Sequence, residues 1–169
     1  MAMTLSDPIY TPYLNICERF GIPVAIHTGG GPPGVAYMGA PNFRLSLGDP
    51  FLIEEALIRH PKLKVYIMHA GGNYYENTLT LMDHYKSVYA DLGIILWEEG
   101  MLPIWAEEFL RKAKKANLID RIMYGSDAMV WPHAIEKSIQ RLNSYDFLTE
   151  EDKRKIFYEN AVKFLNLAN

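Results

Sequence analysis

Four short apolar runs, each followed by a stretch of helical periodicity, constrain this 169-residue chain more than any other feature. The runs are Ile22–His27, Leu63–His69, Val88–Leu92 and Arg121–Asp127. They are continuous rather than alternating, which suits strands buried on both faces of a parallel sheet. A helix precedes the first run, so the predicted order is one helix and then strand–helix four times. Connected strand–helix–strand units imply right-handed crossovers and an α/β fold. An open doubly wound sheet and part of a (β/α) barrel both satisfy that order.

The helices announce their ends. Asp7-Pro8 opens the first, with Asp as the cap and Pro at the first helical position, and Gly21 stops it after Phe20. Asp49-Pro50 repeats the signal ahead of FLIEEALIRH, and His60-Pro61 ends that helix because a residue before proline disfavours the α region. Asn73–Lys86 predicts a third helix, with Leu79, Met82 and Tyr85 on one face. Pro103–Ala116 predicts a fourth, with Lys112, Lys114 and Lys115 at its negative end. Thr149-Glu150-Glu151-Asp152 reads as a capping box starting the last helix, which continues through FYENAVKFLNL.

Composition removes several classes of function. A net charge of −3 and a pI near 5.9 give no electrostatic case for nucleic acid or an anionic membrane. No run approaches about 18 consecutive apolar residues, the length of a membrane span. The beginning MAMTLSDPIY lacks a basic region followed by an apolar core, so a cytoplasmic setting is expected. A single Cys17 allows neither an internal disulfide nor a cysteine-based zinc cluster. The sequence shows no linker, and residues 1–169 read as one domain.

The chemistry collects at strand ends. His27 ends the first run, His69 the second and Asp127 the fourth, each followed by small residues. Carboxyl ends of parallel strands converge on one rim, where α/β folds place their sites. Two imidazoles and a carboxylate there suit a divalent cation with positions left for water and substrate. His60 at a helix end and His84 on a polar helix read as structural and surface residues. Gly29–Gly34 formally matches G-x-G-x-x-G. However, Pro32 and Pro33 offer no amide hydrogens to a pyrophosphate, so Gly29–Gly48 reads as a rim loop. Within it Arg44 is a candidate carboxylate clamp. Trp97 and Glu98, after the third strand, are candidate rim residues, while Trp131 and His133, in the loop after the fourth, are candidate substrate contacts. Ser126 lacks the G-x-S-x-G elbow of a serine hydrolase.

The segments IPVAIHTG, HPKLKVYIMHAGG, VYADLG, RIMYGSDAMVWP and YENAVKFLNL resemble, in order and spacing, the amidohydrolase-related metal-dependent hydrolases. The resemblance spans Asp7 to Leu167. It implies a distorted (β/α)8 TIM barrel and an activity that is either hydrolytic or, in other members, non-oxidative decarboxylation of aromatic or unsaturated acids. By resemblance, His27 corresponds to the strand-5 metal ligand. His69 corresponds to the strand-6 histidine, which either ligates a second metal or activates the bound water. Asp127 corresponds to the strand-8 aspartate, a ligand and general base. Zinc is the implied metal, with manganese an alternative.

The family's strand-1 His-x-His pair has no counterpart in this sequence. Eight units of the size seen here need about 300 residues, in keeping with a complete barrel. The expectation is therefore the C-terminal half of the barrel, strands 5–8. Such a half exposes edge strands, which predicts a homo-oligomer or pairing with a separate N-terminal half. Three functions follow: metal-dependent hydrolysis of an ester, lactone or amide, decarboxylation on the same scaffold, or an inactive half-barrel that oligomerises.

Overall fold

Each apolar run forms a strand, shorter than its apolar stretch and for local reasons. In a computed structural model describing residues 4–129 and 131–167, the strands are β1 (Val24–Ile26), β2 (Val65–Ile67), β3 (Val88–Asp91) and β4 (Ile122–Met123). The first three residues of MAMTLSDPIY and Val130 of RIMYGSDAMVWP lie outside the described residues. Pro23 has no N–H to give a ladder, so pairing begins at Val24, which donates to the Lys64 carbonyl at 2.8 Å. Strand β2 stops because His69 and Ala70 turn left-handed, at φ 60° and 48°.

All pairings are parallel, and the strands lie in the order β1-β2-β3-β4. A doubly wound sheet reverses its order at a switch point. This sheet does not, and it winds in one direction as a (β/α) barrel does. The helices are α1 (Thr11–Phe20), α2 (Glu54–Arg59), α3 (Tyr75–His84), α4 (Leu102–Lys115), α5 (His133–Ser144), α6 (Glu150–Arg154) and α7 (Asn160–Leu165). A π-helical turn, Lys155–Glu159, joins the last two.

The predicted caps form. Asp7 and Asp49 accept from Ile9 and Phe51 N–H, though each opens a 3-10 turn that leads into the α-helix. Gly21 closes α1 in the left-handed region, and Thr149 and Asp152 make the reciprocal capping box. The third helix differs from expectation. It runs Tyr75–His84 and buries Thr78, Leu81 and Met82, while residues 68–74 form a turn whose left-handed glycines cannot continue a helix. Helix α5 is a further element, placed where the sequence reading had a loop around His133.

Register divides the sheet into two faces. Val65, Ile67, Val88, Ala90 and Ile122 share one face and are fully buried. They pack with Phe109 and Leu110 of α4, Leu81 and Met82 of α3 and Leu142 of α5 in the main core. Tyr66, Tyr89, Asp91 and Met123 lie on the other face. Phe164 of α7 closes the strands' amino-terminal end of that face, with its ring 5.8 Å from Tyr66 and 4.6 Å from Tyr89. Asp91 stands at the opposite end. β1 departs from the expectation of burial on both faces, because it is the sheet edge and Ala25 is exposed.

Asn160 explains part of the closing motif. Its buried side-chain amide donates to the Ile119 and Ile122 carbonyls, both at 2.7 Å. The neighbouring π turn leaves the Ile156 carbonyl able to accept from Tyr124 N–H at 2.7 Å. The last helical segment is thereby tied to the end of β4.

Candidate active site

The carboxyl-terminal rim brings His27, His69 and Asp127 into one neighbourhood. His27 follows β1, and its ring meets that of His69 edge-on at a centroid distance of 4.8 Å. Thr28, buried beside it, donates its hydroxyl to the Met68 carbonyl at 2.7 Å and joins the ends of β1 and β2. Burial, then the His69 ring, push the His27 imidazole below its ordinary pKa, and Asp127 and Asp91 only partly oppose this. The shift favours the neutral ring, the form in which imidazole ligates metals.

His69 is buried, and its Nδ1 lies 3.1 Å from the Gly93 carbonyl oxygen. A carbonyl only accepts, so Nδ1 carries the proton and Nε2 keeps a free lone pair. An imidazole oriented in this way by a backbone carbonyl is characteristic of metal-ligating histidines. Asp127 follows β4 with φ 50°, left-handed as His69 is. Such conformations are uncommon and persist where the surroundings enforce them.

The surroundings come from the end of β3, where Asp91 is a site residue beyond those expected from the sequence. Asp91 Oδ1 accepts from His69 N–H and Gly93 N–H, both at 2.9 Å. Burial raises the Asp91 carboxyl above the usual range against the lowering effect of those two hydrogen bonds. Gly93 sits so tightly that a Cβ there would lie 3.2 Å from Asp91 Oδ1, 3.2 Å from His69 Nδ1 and 3.4 Å from the Asp127 Cβ. A signal for Asp91 is present in the sequence, since it stands one residue before the end of its apolar run, next to the place that His27, His69 and Asp127 hold in theirs.

The remaining candidates divide. Trp131 and His133 gather on Trp97, with ring centroids at 5.5 and 6.1 Å. His133 is the first residue of α5 rather than part of a loop, a correction that follows from Pro132 standing as its cap. Trp97 itself donates its indole N–H to the Ser126 carbonyl at 2.6 Å, one residue before Asp127. Arg44 is spent on its own loop. It donates to the Pro41 and Phe43 carbonyls at 2.9 and 2.7 Å, and it lines a cleft of about 570 Å³ formed by loop residues 31–37 and 43–46. His60 is buried 3.5 Å from Glu18, and His84 is on the surface, as expected.

The donor types and the His69 tautomer fit a divalent cation. Their number and spacing make an incomplete set, because among the described residues no three His, Cys, Asp or Glu side chains form a metal-holding group.

The sequence matches the Amidohydrolase family over residues 3–167. The chain belongs to that family. No curated protein matches this amidohydrolase chain. Among solved structures it is similar to an uncharacterized TIM-barrel protein from Bordetella bronchiseptica, with a TM-score of 0.76 and 22% identity over 97% of this chain and 52% of that one. It is also similar to a 2,6-dihydroxybenzoate decarboxylase complexed with 2,6-dihydroxybenzoate, with a TM-score of 0.68 and 16% identity over 99% and 58% of the two chains. A third is an amidohydrolase from Burkholderia multivorans with bound zinc, with a TM-score of 0.68 and 13% identity over 97% and 59%. These likenesses show the fold as that of TIM barrels. The amidohydrolase chain spans 52–59% of the length of these three proteins. Among its described residues, no helix is long and apolar enough to cross a membrane.

Proposed function

We propose that this chain supplies part of the active site of a metal-dependent hydrolase acting on an ester, lactone or amide. The observation that carries the reading is the His69 imidazole, fixed through Nδ1 on the Gly93 carbonyl, with His27 and Asp127 beside it at the strand ends. His27, His69 and Asp127 are the residues that would hold a divalent cation, zinc first and manganese second. When bound, such an ion lowers the pKa of water and polarises a substrate oxygen. His69 has only Nε2 to offer, so it would either ligate the ion or orient that water, and Asp127 would carry the water's proton to the leaving group. Trp131 and His133 form the nearest wall for a substrate, and Arg44 would serve only by releasing its loop carbonyls. Decarboxylation would use the same rim. The similar fold of a decarboxylase supports that alternative no further than the shared scaffold.

The same reading assigns the chain to strands 5–8 of an eight-stranded barrel, the other ligands coming from residues outside this sequence. Two observations support it. The chain is covered almost whole by proteins nearly twice its length. The α1–β1 edge is also apolar and open, with Ile9, Tyr13, Ile16 and Phe20 each 52–67% exposed. A second layer of βα units, in the first instance another copy of this chain, would cover that edge. A chain that closed no barrel would be the inactive member of the three readings.

Bound metal, measured by elemental analysis after zinc addition, tests the site. His27→Ala and Asp127→Ala should each lower the zinc content, and unchanged content in both variants would sink the assignment. The mass in solution tests the closure, since a stable monomer at tens of micromolar contradicts it.

A further inference from the structure

We propose that the segment from Asp91 to Trp97 is the positioning frame of the rim, with Asp91 setting His69 and Trp97 setting Asp127. The inference deepens the hydrolase reading and rests on it for the meaning of the two framed residues. None of Asp91, Gly93 and Trp97 is assigned a contact with metal or substrate; each acts through another residue.

Backbone strain marks both framed residues. His69 and Asp127 both carry side chains yet sit at φ 60° and 50°. A left-handed non-glycine residue persists only when its neighbours over-determine it. Each of the two has one side chain from the β3 end doing this. Asp91 Oδ1 takes the His69 backbone N–H at 2.9 Å, so the turn that ends β2 is tied to β3 by an ionisable acceptor. The same oxygen takes Gly93 N–H, which fixes the loop that presents the Gly93 carbonyl to His69 Nδ1. One carboxylate oxygen thus controls the backbone of His69 directly and its ring tautomer through Gly93.

Trp97 does the corresponding work on the other side. Its side chain is largely buried, and its indole N–H donates at 2.6 Å to the Ser126 carbonyl, within the peptide unit that leads into Asp127. Trp131 and His133 pack against the same indole. The residues that follow Asp127 are therefore registered on the residue that fixes it.

Gly93 links the two halves. A Cβ there meets Asp91 Oδ1, His69 Nδ1 and the Asp127 Cβ at once, at 3.2, 3.2 and 3.4 Å. The first two distances are tighter than most Cβ contacts, and the third is ordinary van der Waals contact. A side chain at this position would therefore press on Asp91 and the His69 ring first and reach Asp127 beside them. Supporting residues of this kind typically change metal affinity by about ten- to a hundredfold when removed.

Magnetic resonance of the 15N-labelled chain tests the frame without metal. Wild type should show His69 protonated at Nδ1. Asp91→Ala should mix the two tautomers, while Asp91→Asn, which keeps an oxygen acceptor, should restore the wild-type signal. Trp97→Phe should move the backbone amide signals of Asp127 and Ala128 and leave the His69 tautomer alone. Gly93→Ala should move both sets, and it carries the test if Asp91→Ala fails to fold. A wild-type His69 signal in Asp91→Ala, unmoved Asp127 signals in Trp97→Phe, or unmoved signals of both kinds in Gly93→Ala would overturn the frame. Zinc titration of the same variants separates the two claims. If no form binds zinc but the signals move as stated, the hydrolase reading fails and the frame stands. If wild type binds zinc, Asp91→Ala and Trp97→Phe should each weaken it about ten- to a hundredfold.

Discussion

The α1–β1 unit and the α3–β3–α4 block come from the same kind of sequence, an apolar run beside an amphipathic helix, yet they bury it differently. In the block, all three apolar positions of β3 are buried, and α4 buries Ala106, Phe109, Leu110 and Ala113. At the edge, β1 leaves Ala25 exposed and α1 buries only Leu14. The stripe Ile9, Tyr13, Ile16, Phe20 repeats at intervals of four and three residues, the spacing of a helix face built to be covered. Burial thus depends on what covers a strand and not on edge position alone, since β4, the other outer strand, buries both Ile122 and Met123 in clusters with Ile156 and Phe164. A central strand has neighbours on both sides, while an edge strand presents its ladder and its helix to whatever comes next. The rim follows the same gradient. His69 and Asp127 are each fixed by the β3 end, while His27, on the edge, has the His69 ring and the adjacent Thr28 hydroxyl bond for support.

The strongest way to break the contrast is Phe109→Ala in α4. Phe109 is fully buried, and its loss should cost about 3–5 kcal/mol in urea unfolding. A smaller loss would mean that the centre is as loosely packed as the edge. Next comes Asn160→Ala, which leaves the Ile119 and Ile122 carbonyls without their donor and should cost about 1–3 kcal/mol. Thr149→Ala should cost about 1 kcal/mol by removing the cap on the Asp152 N–H. Asp152 adds a pH test. Burial raises its pKa, but hydrogen bonds from Lys114 and Thr149 outweigh that and hold it below the ordinary carboxylate value. Its contribution is complete above the unfolded carboxylate pKa and lost as pH falls through its lower folded value. Asp152→Asn should flatten that part of the acid limb. The smallest effect belongs to the edge. Ile16→Ser should change monomer stability by no more than about 0.5 kcal/mol. In an assembly that covers α1, the same substitution should lower the mass in solution, which separates an open edge from a covered one.

Much of the scaffold was legible in the residues. Asp7-Pro8, Asp49-Pro50, Gly21 and the Thr149 box are local devices whose partners lie within a turn of chain, so their sequence suffices to place them. Helix α5 escaped because Pro132 and His133 follow a strand end closely and look like loop. The left-handed turn after His69 shortened α3 for a reason the periodicity of Leu79, Met82 and Tyr85 does not carry. At the site, three of the four strand-end polar groups were found from their place at the ends of apolar runs. Asp91 is hidden because the Val88–Leu92 run ends on the apolar Leu92, which sets the carboxyl inside the strand rather than at its end.

The sequence by itself determined the alternation of strands and helices, the helix ends, the family and the rim on which its polar groups stand. These depend on periodicity and on contacts a few residues apart. The tertiary structure decided which strand is an edge, which sheet face receives helices, and what holds the rim. Asp91 meets His69 across 22 residues, and Trp97 meets Ser126 across 29. Such contacts are made when strands align in register, and no local pattern encodes the register of one strand on the next.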